Sequence, residues 1–262
     1  EQLILDGRVR VNGKSIEMLP AFIDPARDVV QVDDQLVDLS ASEAALEHRG
    51  RVRPVYLLVN KPKGVVTTTR DPLGRRDVMS LVPRALAARE RLFPVGRLDA
   101  DSTGLMLLTN DGELAHLLSH PRFGVAKEYR VVTAGLASDD QLARLKRGTY
   151  LVTPDGGGER RARRASMESI RILKRLVDRS RGDRTLLSVT LREGQNREIR
   201  RLLARVGLKV RELERVAIGP LRAPELKPGQ SKLLGKRDIE RLRAATLSAE
   251  EGVRYQGSGV RN

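Results

Sequence analysis

Apolar residues along this chain fall mostly in short runs bounded by turn residues, and only a few stretches carry the three-to-four spacing of an amphipathic helix. The opening segment reads as a helix end followed by short strands: Val9 and Val11 alternate with Arg8 and Arg10, and Asn12-Gly13 supplies a tight hairpin turn. A second alternation spans Asp28 to Val32. From Tyr56 onward the runs are denser: Tyr56–Val59, Gly64–Val66, Leu105–Leu108, Tyr129–Val132 and Leu186–Leu191. Helical periodicity is strongest at Gly112–Ser119, Gln141–Arg147, Asn196–Val206 and Lys236–Ala245. Short strand runs mixed with a few helices predict an α+β protein with a mainly antiparallel mixed sheet rather than regular βαβ alternation.

The expected organisation is a partial small α+β module over residues 1–39, a linker over 40–54 closed by Gly50 and Pro54, a main domain over 55–246, and a flexible tail over 247–262 carrying Gly252, Gly257 and Gly259. Residue 1 is Glu, and the sequence is expected to begin inside a longer natural chain.

Charge narrows the partners. Lys and Arg number 49 against 34 Asp and Glu, so 49 − 34 gives +15, a charge that suits a polyanion and makes nucleic acid the first candidate. With 40% hydrophobic residues in 262, a sizeable core can be filled. There is no Cys and there are only three His, which leaves neither a disulfide framework nor a Cys/His zinc site. No run reaches the roughly 18 apolar residues of a membrane-spanning helix, and a cytoplasmic, monomeric protein without metal or cofactor is expected. Between Arg160 and Arg184 ten basic residues stand against three acidic ones, which fits a solvated face or a phosphate-contacting face equally.

Several familiar patterns fail. Gly13-Lys14-Ser15 lacks the earlier Gly of a phosphate-binding loop, because Arg8 occupies that position. Gly156-Gly157-Gly158 lacks dinucleotide-binding spacing and reads as a flexible loop. His116 and His120 share a helix face without the intervening Glu of a metalloprotease. No serine-hydrolase elbow is present.

Three segments concentrate candidate chemistry. The first is Pro94–Gly104, where Asp99, Asp101 and Ser102 sit in a loop before an apolar strand; those residues serve either a reacting site or a capped turn. In the second, Lys127-Glu128-Tyr129-Arg130-Val131, alternation puts Lys127, Tyr129 and Val131 on one face, so Tyr129 is either core or site. The third is Glu193–Leu203. In helical projection Ile199, Leu202, Leu203 and Val206 form the apolar face, with Arg200 at its border and Arg197, Arg201 and Arg205 farther round. Arg200 therefore points either into a half-buried pocket or onto a basic surface.

Together with Asn60-Lys61-Pro62-Lys63-Gly64 and Thr109-Asn110-Asp111-Gly112-Glu113-Leu114, these segments resemble the pseudouridine synthases of the RsuA/RluB/RluE/RluF type, from Tyr56 to about Ala245. Asp6–Val9 with Val11–Lys14 is similar to the later half of the small RNA-binding module these enzymes share with a ribosomal protein. The resemblance implies Asp99 as the catalytic aspartate, Tyr129 as the tyrosine that stacks near the target base and relays a proton, and Arg200 as the basic partner of the aspartate. It further implies an RNA-binding set of Arg8, Arg10, Lys14, Lys61, Lys63, Arg97, Lys127, Asn196, Arg197 and Arg201, with Lys61 and Arg97 serving phosphates or loop order. The implied reaction breaks the C1′–N1 bond of a uridine and rejoins C1′ to C5, by covalent attack of Asp99 or through a glycal, and needs no metal or cofactor.

The run Asn196–Arg201 is more similar to the RluB branch, implying large-subunit (23S) ribosomal RNA as partner, with small-subunit (16S) RNA as the alternative. Two other readings remain from residues alone. One is a non-catalytic RNA-binding ribosome-assembly factor in which Asp99 is a turn residue. The other is a nuclease holding Mg²⁺ on Asp99, Asp101 and Asp111, with Arg97 opposing the metal.

Overall fold

The computed structural model describes residues 2–16, 23, 27–37, 53–120, 124–154, 160–180, 182–192 and 197–257. The chain divides into two units, Glu1–Arg53 and Pro54–Asn262.

In the first unit a single helical turn, α1 (Gln2–Leu5), precedes β1 (Val9–Val11), β2 (Lys14–Ser15), β3 (Val30–Val32) and β4 (Gln35–Val37). They form an antiparallel sheet in the order β2-β1-β3-β4. Asn12 and Gly13 adopt φ 51° and 77°, the geometry a two-residue hairpin turn demands. Asn12 also spans the sheet, its amide donating to Asp28 Oδ1 at 2.8 Å while its Oδ1 accepts from the Val29 N–H at 2.9 Å. Arg8 and Arg10 pair with Asp33 and Asp34, the turn residues between β3 and β4. The expected linker lies almost wholly outside the described residues.

The second unit is built on an eight-stranded mixed sheet. Its strands are β5 (Tyr56–Lys61), β6 (Phe93–Pro94), β7 (Thr103–Thr109), β8 (Lys127–Ala134), β11 (Ser169–Leu176), β12 (Arg184–Leu191), β13 (Val210–Ile218) and β14 (Ser231–Leu233). The order is β11-β12-β8-β13-β7-β5-β14, with β6 also paired to β7, and only the β13–β7 pair is parallel. A separate hairpin, β9 (Thr149–Pro154) with β10 (Arg160–Ala165), precedes β11. The helices are α2 (Arg84–Ala87), α3 (Gly112–Ser119), α4 (Asp139–Arg147), α5 (Glu198–Arg205) and α6 (Lys236–Gly257).

Side-chain alternation sorts β5 and β7 between two cores. Leu57, Val59, Met106 and Leu108 pack on one face with Tyr129, Val131, Ile199, Leu202 and Leu203. Tyr56, Leu58, Leu105 and Leu107 pack on the other with Leu114, Leu118 and Leu242. Strands covered on both faces read as unbroken apolar runs, which is why both were visible in the sequence. Gly104 marks the closest approach of β7 to β13: a Cβ there would lie 2.3 Å from the Arg215 carbonyl oxygen, and its φ is 107°.

Four helices match the periodicity, and α4 carries a full capping box between Ser138 and Gln141. The run Gly64–Val66 forms no strand; it makes a turn and one isolated bridge from Val66 to Asp77, because Lys61 folds back across it. The helix α6 continues to Gly257, through most of the segment expected to be a tail. The glycine run Gly156–Gly158 lies outside the described residues.

Candidate active site

The loop before β7 carries Asp99 and is held from beneath. Thr67 fixes its neighbour: the Leu98 N–H donates to Thr67 Oγ1 at 3.2 Å, and that hydroxyl donates to the Leu98 carbonyl at 2.7 Å. The Gly64 N–H donates to the Ala100 carbonyl at 2.7 Å, and the Ser102 N–H closes a turn onto the Asp99 carbonyl at 3.1 Å. The Gly64 turn is itself set by Lys61, whose ammonium donates to the carbonyls of Val65 at 2.8 Å and Pro62 at 3.2 Å.

Asp99 opens into a cavity of about 320 Å³. Its apolar walls are Leu98, Leu191, Ile199 and Leu213, with Tyr129 on one side and Arg97, Ser102, Arg197 and Glu198 supplying polar groups. That volume and lining suit one planar ring plus a sugar. Tyr129 is 7% exposed and rises from β8 opposite Val189 of β12. Glu198 and Ser102 are buried.

Two arginines of the α5 segment reach the loop, in a different pairing from the expected one. Arg197 donates from Nη1 to Asp99 Oδ2 at 3.2 Å and Asp101 Oδ1 at 3.3 Å, and from Nη2 to Asp101 Oδ2 at 3.3 Å. Arg200 meets Asp101, not Asp99, with Nη2 3.1 Å from Oδ2. The expected Arg200–Asp99 pair is corrected accordingly. The helical projection failed at Arg197 because this residue stands outside the helix, at the N-cap with φ 51° and ψ 32°, so its side chain does not follow the wheel. Burial acts to raise the Asp101 pKa, but the hydrogen bond from Arg197 and the charges of Arg200 and Arg197 outweigh it and hold the carboxyl below its ordinary value.

Two lysines expected to contact RNA turn inward instead. Lys61 is fully buried, and burial lowers its pKa to about 8 against the opposing pull of Asp101 and Asp99. Of its two expected roles, the geometry gives loop order, since no phosphate reaches a buried ammonium already bound to two carbonyls. Lys127 donates to the carbonyls of Val125 at 3.2 Å and Leu118 at 3.4 Å, tying the end of α3 to the start of β8. Burial, assisted by Arg215, lowers its pKa to about 8 as well. Lys14, Lys63 and Arg97 are exposed, Arg201 is half-buried on α5, and Asn196 lies outside the described residues.

Asp111 is not part of this constellation. It caps α3 through the Leu114 N–H at 3.0 Å and binds Tyr56 Oη at 2.6 Å and Arg243 Nη2 at 2.9 Å. Among the described residues no three His, Asp or Glu side chains gather as a metal site. Thr67 and Glu198 were missed from the sequence. Thr67 bonds a residue 31 positions away, and nothing local signals it.

Known proteins are similar to this chain in sequence and fold. The profile of the family described as RNA pseudouridylate synthase matches residues 55–205. An RNA pseudouridine synthase of Aquifex aeolicus is 36% identical over 92% of this chain and 86% of its own. The ribosomal large subunit pseudouridine synthase B of Bacillus subtilis is 32% identical over 93% of this chain and 88% of its own. A crystal structure of a pseudouridylate synthase superposes with a TM-score of 0.59 at 25% identity, covering 92% of this chain and 91% of that one. The α+β fold, the matched segments and the near-complete coverage agree, and the chain belongs to the RNA pseudouridine synthases of the RsuA/RluB type.

Proposed function

We propose that this enzyme converts one uridine of large-subunit ribosomal RNA to pseudouridine in the cytosol, acting as a monomer with Asp99 as the reacting carboxylate. The observation that carries the reading is the placement of Asp99 at the mouth of a cavity walled by Tyr129, Leu191 and Ile199 and rimmed by Arg97 and Arg197. The name of the Bacillus subtilis relative supports the large subunit as target.

The uridine leaves its stack to reach the cavity, and the Tyr129 ring offers the flipped base a face on which to rest. A carboxylate is required in either chemical route. As nucleophile Asp99 bonds to C1′ while the C1′–N1 bond breaks and its electron pair leaves with the base; as base it removes the C2′ proton to give a glycal. The freed uracil turns and C5 bonds to C1′ as the Asp99–C1′ ester bond breaks and frees the carboxylate, or, in the glycal route, as C2′ regains its proton from Asp99. The C5 proton is then lost with Tyr129 placed to relay it, and N1 ends protonated. Arg200, anchored on Asp101, keeps positive charge on the loop that carries the reacting group.

The target is tested by incubating large-subunit and small-subunit ribosomal RNA, each labelled with tritium at uridine C5, with the enzyme. Release from the large-subunit RNA alone is expected; release confined to the small-subunit RNA overturns the target assignment.

A further inference from the structure

A second cavity, of about 380 Å³, lies on the outer side of the same helix, between α5 and the start of β13. Its basic groups are Arg197, Arg200 and Lys209, and no acidic residue lines it among the described residues. Two carbonyls at the C-terminal end of α5, those of Leu203 and Ala204, are already engaged. The Gly207 N–H donates to Ala204 at 3.0 Å and the Leu208 N–H to Leu203 at 3.0 Å, a Schellman closure made possible by Gly207 at φ 81°. What remains facing the groove is cationic.

Arg197 belongs to both cavities. Its side chain is 46% exposed, whereas that of Arg200 is 13% exposed. The two therefore differ in how easily they let go of a carboxylate: an exposed pair is weak and screened, and a phosphate offers the same guanidinium an alternative bidentate partner. The αL backbone at Arg197 adds to this, since a non-glycine residue there is held by its surroundings rather than by its own preference.

We propose that the groove formed by Arg197, Arg200 and Lys209 takes a backbone phosphate of the RNA, and that Arg197 exchanges its two carboxylate partners, Asp99 and Asp101, for this phosphate on binding. Asp99 is then paired with Arg197 in the free enzyme and loses that partner only when RNA is in place, while Asp101 keeps Arg200. The inference rests on the reading of Asp99 as the reacting carboxylate, but its test reads binding, so failure of the reaction or of the target assignment leaves it separately decidable.

Filter binding of a full-length large-subunit ribosomal RNA transcript is measured for the wild type, Asp99→Asn, Arg197→Ala and the double variant. Because one of the two carboxylates that compete with the phosphate for Arg197 is removed, Asp99→Asn is expected to bind about three- to tenfold tighter, and the gain is expected to vanish in the Arg197→Ala background. A gain that persists without Arg197 is a general charge effect and overturns the exchange, as does no gain at all. Lys209→Ala is expected to lower the salt slope of binding by about one; an unchanged slope removes the phosphate from the groove. In turnover, Arg197→Ala is expected to raise KM about tenfold with kcat within about threefold, whereas a kcat loss of about a hundredfold at unchanged KM makes Arg197 a permanent partner of Asp99 and contradicts the proposal.

Discussion

The central pair β5–β7 and the edge strand β11 show two ways of building one sheet. Every residue of β5 is buried, as is all of β7 after Thr103, and the only charged side chain among them, Lys61, is folded onto its own loop. β11 pairs on one side only, with β12, and carries Arg171, Lys174 and Arg175 exposed, with an irregularity between Ile172 and Lys174. An edge so charged resists pairing with another chain and presents cations to a polyanion. The centre trades exposure for rigidity, and the Asp99 loop hangs from its end. The difference teaches that the support of the Asp99 loop and the exposed cationic edge are built from separate strands.

That separation can be broken at three points. Gly104→Ala should be the most damaging, because the added Cβ meets the Arg215 backbone and the φ of 107° is unsuited to alanine. A loss of about 3 kcal/mol or more in urea unfolding is expected, and a loss under about 1 kcal/mol means that β7 and β13 separate freely.

Lys61 gives an intermediate, pH-dependent effect. Its folded pKa of about 8 lies below the 10.5 of the free side chain, so between those values the unfolded chain binds more protons and stability rises with pH. Relative to Lys61→Met, the wild type should gain about 1–2 kcal/mol as pH rises from about 7.5 to about 9.5. A constant difference between the two proteins contradicts a Lys61 pKa lowered by burial.

Lys174→Ala, on the edge, should have the smallest effect on the fold, within about 0.5 kcal/mol. It should reduce RNA affinity about threefold and the salt slope by about one. A stability loss comparable to that of Gly104→Ala would erase the distinction between centre and edge.

The sequence showed the centre more clearly than the edge, for a physical reason. Burial on both faces leaves only apolar residues at Leu105–Leu108, whereas the edge strand β11, with Arg171, Lys174 and Arg175 among its apolar positions, has no apolar run longer than two residues to betray a strand. In the site, Asp99, Tyr129 and the α5 arginines were legible as motifs, and Ile199, Leu202 and Leu203 lie buried where the helical projection put them. The pairing of each arginine was not legible, because it depends on one αL residue just ahead of the helix. Nor was the inward turn of Lys61 and Lys127, since a lysine beside a glycine- or valine-rich turn reads the same whether its ammonium meets solvent or backbone carbonyls. Thr67 and the Gly104–Arg215 approach were hidden because their partners lie far along the chain.

The central claim is that the carboxylate of Asp99 performs the chemistry in the cavity beside Tyr129. Tritium release from uridine-C5-labelled ribosomal RNA, measured under single-turnover conditions for the wild type and Asp99→Asn, tests it most directly. The account predicts release by the wild type and a loss of about a thousandfold or more in the variant, with RNA binding retained. Comparable release by both proteins would contradict it.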